Sequence, residues 1–183
     1  MKKSDSYDAI AYFNRGYDYG KLGEYNKAIS DYTKVIELNP EYATAYYYRG
    51  ICYRKLGEYN KAISDYSKSI ELDPDDPNAY NYRGICYDEL GEYDKAIDSY
   101  NKAIELDRKY PDVYYNRGIC YRKLGEYDKA ISDYSKSIEL DPDDPDAYYN
   151  RGNCYRELGG YEKAISDYTK AIELDPKYTK AYL

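Results

Sequence analysis

Glycine stands at positions 16, 50, 84, 118 and 152, a constant step of 34 residues, and an arginine precedes each one. Ala28, Ala62, Ala96, Ala130 and Ala164 keep the same step, as do Tyr32, Tyr66, Tyr100, Tyr134 and Tyr168. Self-similarity at this period marks a stack of supersecondary units, each burying its apolar face against its neighbours. Five units follow: 9–42, 43–76, 77–110, 111–144 and 145–178, with an extension at 1–8 and the start of a further helix at 179–183. The chain reads as one array over 1–183, without linkers.

Within a unit the apolar spacing is helical. Tyr59, Ala62, Ile63, Tyr66 and Ile70 recur at i, i+3 and i+4, which places them on one helix face. An earlier helix is predicted from about Ala45 to Leu56, with Gly57 as its left-handed C-terminal cap. Pro40, Pro74, Pro142 and Pro176 close units where they cannot continue a helix. Asp76 and Asp144 are candidate N-caps, with Pro77 and Pro145 as first helical residues. Each unit is a helix–turn–helix pair, and the fold class is all-α.

Composition narrows the function. Thirty-four acids against 27 bases leave a net charge of −7, the wrong sign for a duplex-binding protein. No apolar run approaches the ~20 residues needed to cross a bilayer. The start, MKKSDSYDAI, lacks the apolar core of a secretory signal. A cytoplasmic protein is expected, with neither nucleic acid nor membrane as partner. Histidine is absent, which removes the commonest general base and metal ligand together. No nucleophile–base pair or phosphate loop stands out from the repeat, so no enzyme, cofactor or metal is expected. The acidic turns at 73–77 and 141–146 are explained by helix capping, and lack the glycine-bearing loop of a calcium site.

Tyr46, Gly50, Tyr53, Ala62, Tyr66 and Pro74 together resemble the tetratricopeptide repeat pattern, in five copies spanning residues 9–178. The resemblance implies a right-handed α-solenoid of stacked antiparallel helix pairs, A and B. Three features depart from the pattern. Arginine replaces the usual leucine before the glycine, tyrosine stands for Trp or Phe, and the third unit's proline slips to Pro111.

Tyrosine occurs 31 times. Four positions are tyrosine in every unit (46, 53, 59 and 66 in the second), and with Tyr182 they are read as packing residues. Tyr7, Tyr17, Tyr42, Tyr47, Tyr48, Tyr82, Tyr110, Tyr115, Tyr149 and Tyr178 fall outside that pattern and are read as surface candidates. Cys52, Cys86, Cys120 and Cys154 hold the small position of helix A and are read as buried structural thiols. The first unit has Asp18 there instead, a polar cap. The ladder Arg15, Arg49, Arg83, Arg117 and Arg151 has two readings, a structural pairing with helix B acids such as Asp31, Asp65, Asp133 and Asp167, or an anion-binding stripe. Its invariance across units favours structure.

The family resemblance also implies a concave, helix-A-lined groove for peptides. The residues that map onto it are Phe13, Asn14, Tyr17, Tyr47, Tyr48, Ile51, Asn81, Tyr82, Ile85, Tyr115, Asn116, Ile119, Tyr149, Asn150 and Asn153, with the basic Arg54, Lys55, Arg122, Lys123 and Arg156. Asp88 and Glu89 interrupt the basic series. The Lys/Asn/Arg clamp of chaperone-tail receptors in this family is not matched, because lysine never occupies the fifth residue of a unit. Asn14, Asn116 and Asn150 match an asparagine ladder that other members use on extended peptides, but Tyr48 and Tyr82 break it. The expected function is a protein-interaction scaffold for an extended or helical peptide, with a preference for acidic residues. The alternative is a structural or self-associating array, a natural fragment or a designed one, with no dedicated ligand. The fifth unit's face around Ile165, Tyr168 and Ile172 is expected to be left uncovered, which a cut from a longer array or end-to-end association would each explain. Units two and four differ at only five positions, a pattern that duplication of a two-unit block and deliberate design would both give.

Overall fold

The computed structural model describes residues 3–176, with side chains from residue 7 onward. The start of a further helix at 179–183, and with it Tyr178 and Tyr182, lies outside the described residues. Among the described residues there are ten α-helices and no strand: α1 (Lys3–Lys21), α2 (Tyr25–Leu38), α3 (Ala43–Lys55), α4 (Tyr59–Leu72), α5 (Pro77–Glu89), α6 (Tyr93–Leu106), α7 (Pro111–Lys123), α8 (Tyr127–Leu140), α9 (Pro145–Glu157) and α10 (Tyr161–Leu174). Odd helices are the A and even helices the B elements of the repeats. Residues 3–8 extend α1 rather than forming a separate segment.

The chain divides into two compact units, one up to Glu92 with α1 to α5 and one from Tyr93 with α6 to α10. The division falls inside the third repeat. Within the first unit α1 packs on α2, α2 on α3, α3 on α4 and α4 on α5. The second unit repeats the scheme through α6, α7, α8, α9 and α10.

The local signals act as their chemistry requires. Asp76 and Asp144 each accept a bond on Oδ1 from the backbone N–H two residues on, at 2.9 Å, and a proline follows each cap. Gly57 ends α3 at φ 74, a conformation that costs glycine nothing. Helix B carries the centre of each core: Ala62 and Tyr66 of α4 close on Cys86 of α5, and Ala130 and Tyr134 of α8 close on Cys154 of α9. Gly50 makes this approach fit, since a Cβ there would sit 2.9 Å from Cε1 of the buried Tyr66 ring.

Two departures from the family pattern turn out to be one device. Arg15, Arg49, Arg117 and Arg151 each donate from Nε and Nη2 to both oxygens of an aspartate on the following helix B, at 2.7–2.8 Å. Each guanidinium also lies 5.3–6.0 Å from the centres of two tyrosine rings, those of Tyr46 and Tyr53 for Arg49. The remaining nitrogen reaches back one repeat: Nη1 of Arg49 donates to Thr33, that of Arg151 to Ser135 and that of Arg117 to Asn101. The ladder is therefore structural. Replacing leucine by arginine works here because tyrosines supply ring faces and aspartate supplies a bidentate acceptor.

Candidate functional site

The groove candidates lie on helix A, whose sequence positions five, six and nine follow one face. In the first unit, Tyr48 of α3 sits at the centre of an aromatic cluster. Its ring meets Phe13 edge-on at 5.6 Å and Tyr17 at 5.5 Å, and stacks on Tyr32 at 6.0 Å. Tyr47 contacts Tyr66 at 6.0 Å and Tyr82 at 5.9 Å, while Tyr82 stacks on Tyr66 at 6.1 Å. Tyr17, Lys21, Tyr32, Tyr47, Tyr48 and Ile51 line an open pocket of about 260 Å³. Four of the groove candidates are thus brought to one concavity.

These rings are more deeply set than expected. Tyr47, Tyr48, Tyr82 and Tyr115, read from sequence as free surface, are half-buried and pack on the cores. The reason is that positions five and six of helix A lie against the helix B tyrosine, which has too broad a face to be covered by Ala and Cys alone. Tyr17 and Tyr7 remain exposed. Asn81 is a correction: it is 3% exposed and contributes no groove surface. Asn14, Lys55 and Lys123 are exposed, and Ile85, Asn116, Ile119 and Tyr149 half-buried. Arg156 is exposed and lies 3.7 Å from Glu157.

In the second unit, amides join the tyrosines. Asn150 Nδ2 donates to the Tyr115 hydroxyl at 3.0 Å and to the Asp146 carbonyl at 2.8 Å. The Tyr168 hydroxyl donates to Asn153 Oδ1 at 2.8 Å. Tyr134 and Tyr66, at the same repeat position, have Ile119 and Ile51 where Tyr168 has Asn153, and their buried hydroxyls make no well-formed hydrogen bond. Burial drives both phenols well above the usual range, and Arg122 and Arg54 draw them back in part. Sequence reasoning missed these hydroxyls. The Asn-for-Ile exchange at the ninth position was the one available signal.

The cysteines are buried free thiols. Burial pushes Cys52 and Cys154 up to about 11 and Cys86 up to about 12, so these three stay thiols at neutral pH rather than activated nucleophiles. Among the described residues, no group of three or more His, Cys, Asp or Glu is placed to hold a metal ion. Among the same residues, no helix is long and apolar enough to cross a membrane.

Family models described as tetratricopeptide repeat match residues 9–42, 111–144 and 145–178, and residues 41–109. The chain belongs to the tetratricopeptide repeat family. That fold is the fold of a protein-interaction scaffold. A crystal structure of MamA protein is similar at 32% identity, covering 96% of each chain, with a TM-score of 0.86. YrrB, described as a tetratricopeptide protein with an unusual peptide-binding site, is similar at 28% identity over 95% of this chain and 90% of its own, with a TM-score of 0.82. MamA 41-end from Desulfovibrio magneticus RS-1 has a TM-score of 0.88 at 20% identity, over 93% of this chain and 97% of its own, a likeness of fold alone. No curated protein matches the tetratricopeptide chain significantly in sequence.

Proposed function

We propose that the tetratricopeptide chain is a non-enzymatic, cytoplasmic scaffold that binds an extended or helical peptide on the helix A face. The observation that carries this reading is the pocket formed by Tyr17, Tyr47, Tyr48 and Ile51, where an aromatic floor meets an exposed ring and Lys21. Ring faces supply contact area at little cost in side-chain entropy, and the exposed amide of Asn14 suits a ligand backbone. The four free thiols fit a reducing compartment. Similarity to YrrB, a protein with a peptide-binding site, supports the same reading.

Selection from a random peptide display library tests it. Enriched peptides are expected to lose affinity when Tyr17→Ser is introduced, a change at an exposed ring that leaves the core alone. Failure to enrich any sequence, or binding indifferent to Tyr17→Ser and to Ile51→Ala, overturns the groove reading.

A second reading, self-association, is favoured by one observation: Tyr161 and Ile165 on α10 are each 64% exposed. Light scattering across a concentration series decides it, and a constant monomer mass would dismiss it.

A further inference from the structure

Two arginines stand apart from the ladder. Arg54 lies in the last turn of α3 and Arg122 in the last turn of α7, each one turn beyond the groove isoleucines Ile51 and Ile119. Both are half-buried, and in both the Nε is buried without an acceptor. Neither has an ion pair among the described residues, whereas each of four ladder arginines grips an aspartate. The Arg54 guanidinium lies 5.0 Å over the Tyr82 ring centre, which orients it. Behind each arginine sits a fully buried tyrosine, Tyr66 or Tyr134, whose hydroxyl feels the guanidinium but makes no well-formed hydrogen bond.

A half-buried guanidinium with no carboxylate partner, held in place by its surroundings, is a ready donor for an anion that arrives beside it. The positive charges are conspicuous in a chain of net charge −7. We propose that Arg54 and Arg122 are each a carboxylate-binding point of the groove, taking an Asp or Glu side chain of a bound peptide. This rests on the peptide-groove reading. Guanidinium presents a planar fork that matches a carboxylate, and Lys55 and Lys123 beside the two arginines add to the local field. The equivalent residues elsewhere do not serve. Asp88 in the third repeat repels a carboxylate, and Arg156 in the fifth is exposed and already beside Glu157.

The test has two arms on the purified chain. In the first, side-chain nitrogen NMR follows the arginine Nε–Hε signals during titration with N-acetylglutamate amide or N-acetylglutamine amide. Saturable shifts at Arg54 and Arg122 with glutamate alone are expected. In the second, a library-selected peptide is compared with its Glu→Gln counterpart on wild type, R54Q, R122Q and R156Q, each checked for folding by circular dichroism. The exchange is expected to weaken binding about ten- to a hundredfold, and discrimination is expected to vanish in R54Q or R122Q but persist in R156Q. Peptide binding that ignores both the exchange and R54Q or R122Q overturns the carboxylate points and leaves the groove standing. Glutamate-selective NMR shifts without any peptide binding uphold the points and sink the groove. Arginine signals that respond alike to both amides, or to neither, overturn the proposal.

Discussion

The hydroxyl of Tyr168 donates to Asn153 Oδ1 at 2.8 Å, fifteen residues away on the preceding helix, and this bond has no counterpart at Tyr66 or Tyr134. A buried hydroxyl without a well-formed hydrogen bond has lost its water and gained little in return. Tyr66→Phe and Tyr134→Phe are therefore expected to leave stability unchanged or raise it, by up to about 1 kcal/mol. Tyr168→Phe is expected to lose about 0.5–1.5 kcal/mol. Urea unfolding midpoints measure all three, and a larger loss at Tyr66 than at Tyr168 would reverse the argument.

Three glycines should respond with different signs to the same change. Gly50→Ala places a Cβ 2.9 Å from the buried Tyr66 ring and is expected to cost about 1–3 kcal/mol, despite alanine's better helix propensity. Gly57→Ala costs about 1 kcal/mol for a different reason, because its backbone sits at φ 74. Gly20→Ala lies in α1 with nothing within 4 Å and is expected to stabilise, by about 0.5 kcal/mol. Thermal melts of the three variants check the order.

The Arg117–Asp133 pair is bidentate, with side chains 17% and 7% exposed. Asp133→Ala strands a mostly buried guanidinium and is expected to cost about 2–4 kcal/mol. Replacing both, as R117M with D133L, should cost clearly less than Asp133→Ala alone, because no charge is left without a partner. A double-mutant cycle in urea decides this. Equal losses in the single and double variants would show that packing, not charge, dominates at this site.

Alkaline pH should weaken the fold. Cys52 and Cys154 are raised to about 11 and Cys86 to about 12, and burial also raises Tyr32, Tyr66 and Tyr134. The unfolded chain releases its thiol protons near pH 9 and its phenol protons near pH 10, whereas the folded chain retains them. The folded state thus binds more protons across this window, and stability falls as pH rises. The contribution is intact below about pH 8.5 and declines steeply above about pH 10. Urea midpoints from pH 7 to 11 should trace this curve, and a flat profile would contradict it. At pH 8 the native thiols should react with a thiol reagent far more slowly than in urea.

Much of this molecule was readable before any helix was placed. The 34-residue step, the Asp76–Pro77 and Asp144–Pro145 starts and the Gly57 stop all act within a few residues. The thiols, too, were readable, since a small residue recurring on helix A has a helix B tyrosine to fill against. The site was less legible. Tyr47, Tyr48 and Tyr115 look like surface residues in sequence because tyrosine is absent from their positions in some repeats, yet they are half-buried. Asn81 occupies a groove position in sequence and a buried one in space.

What the sequence by itself determined is the helix pair, its caps and its repetition, because hydrogen bonds and apolar spacing within about 34 residues define them. What only the tertiary structure decided is which polar groups are satisfied. Arg49 and Arg54 lie five residues apart on one helix, yet the first holds Asp65 with two bonds and the second lies against the Tyr82 ring with no carboxylate on its buried Nε. The difference depends on what the neighbouring helices bring to within 3 Å. Periodicity places an arginine on a helix face; only the packing of other helices against that face supplies or withholds its acceptor.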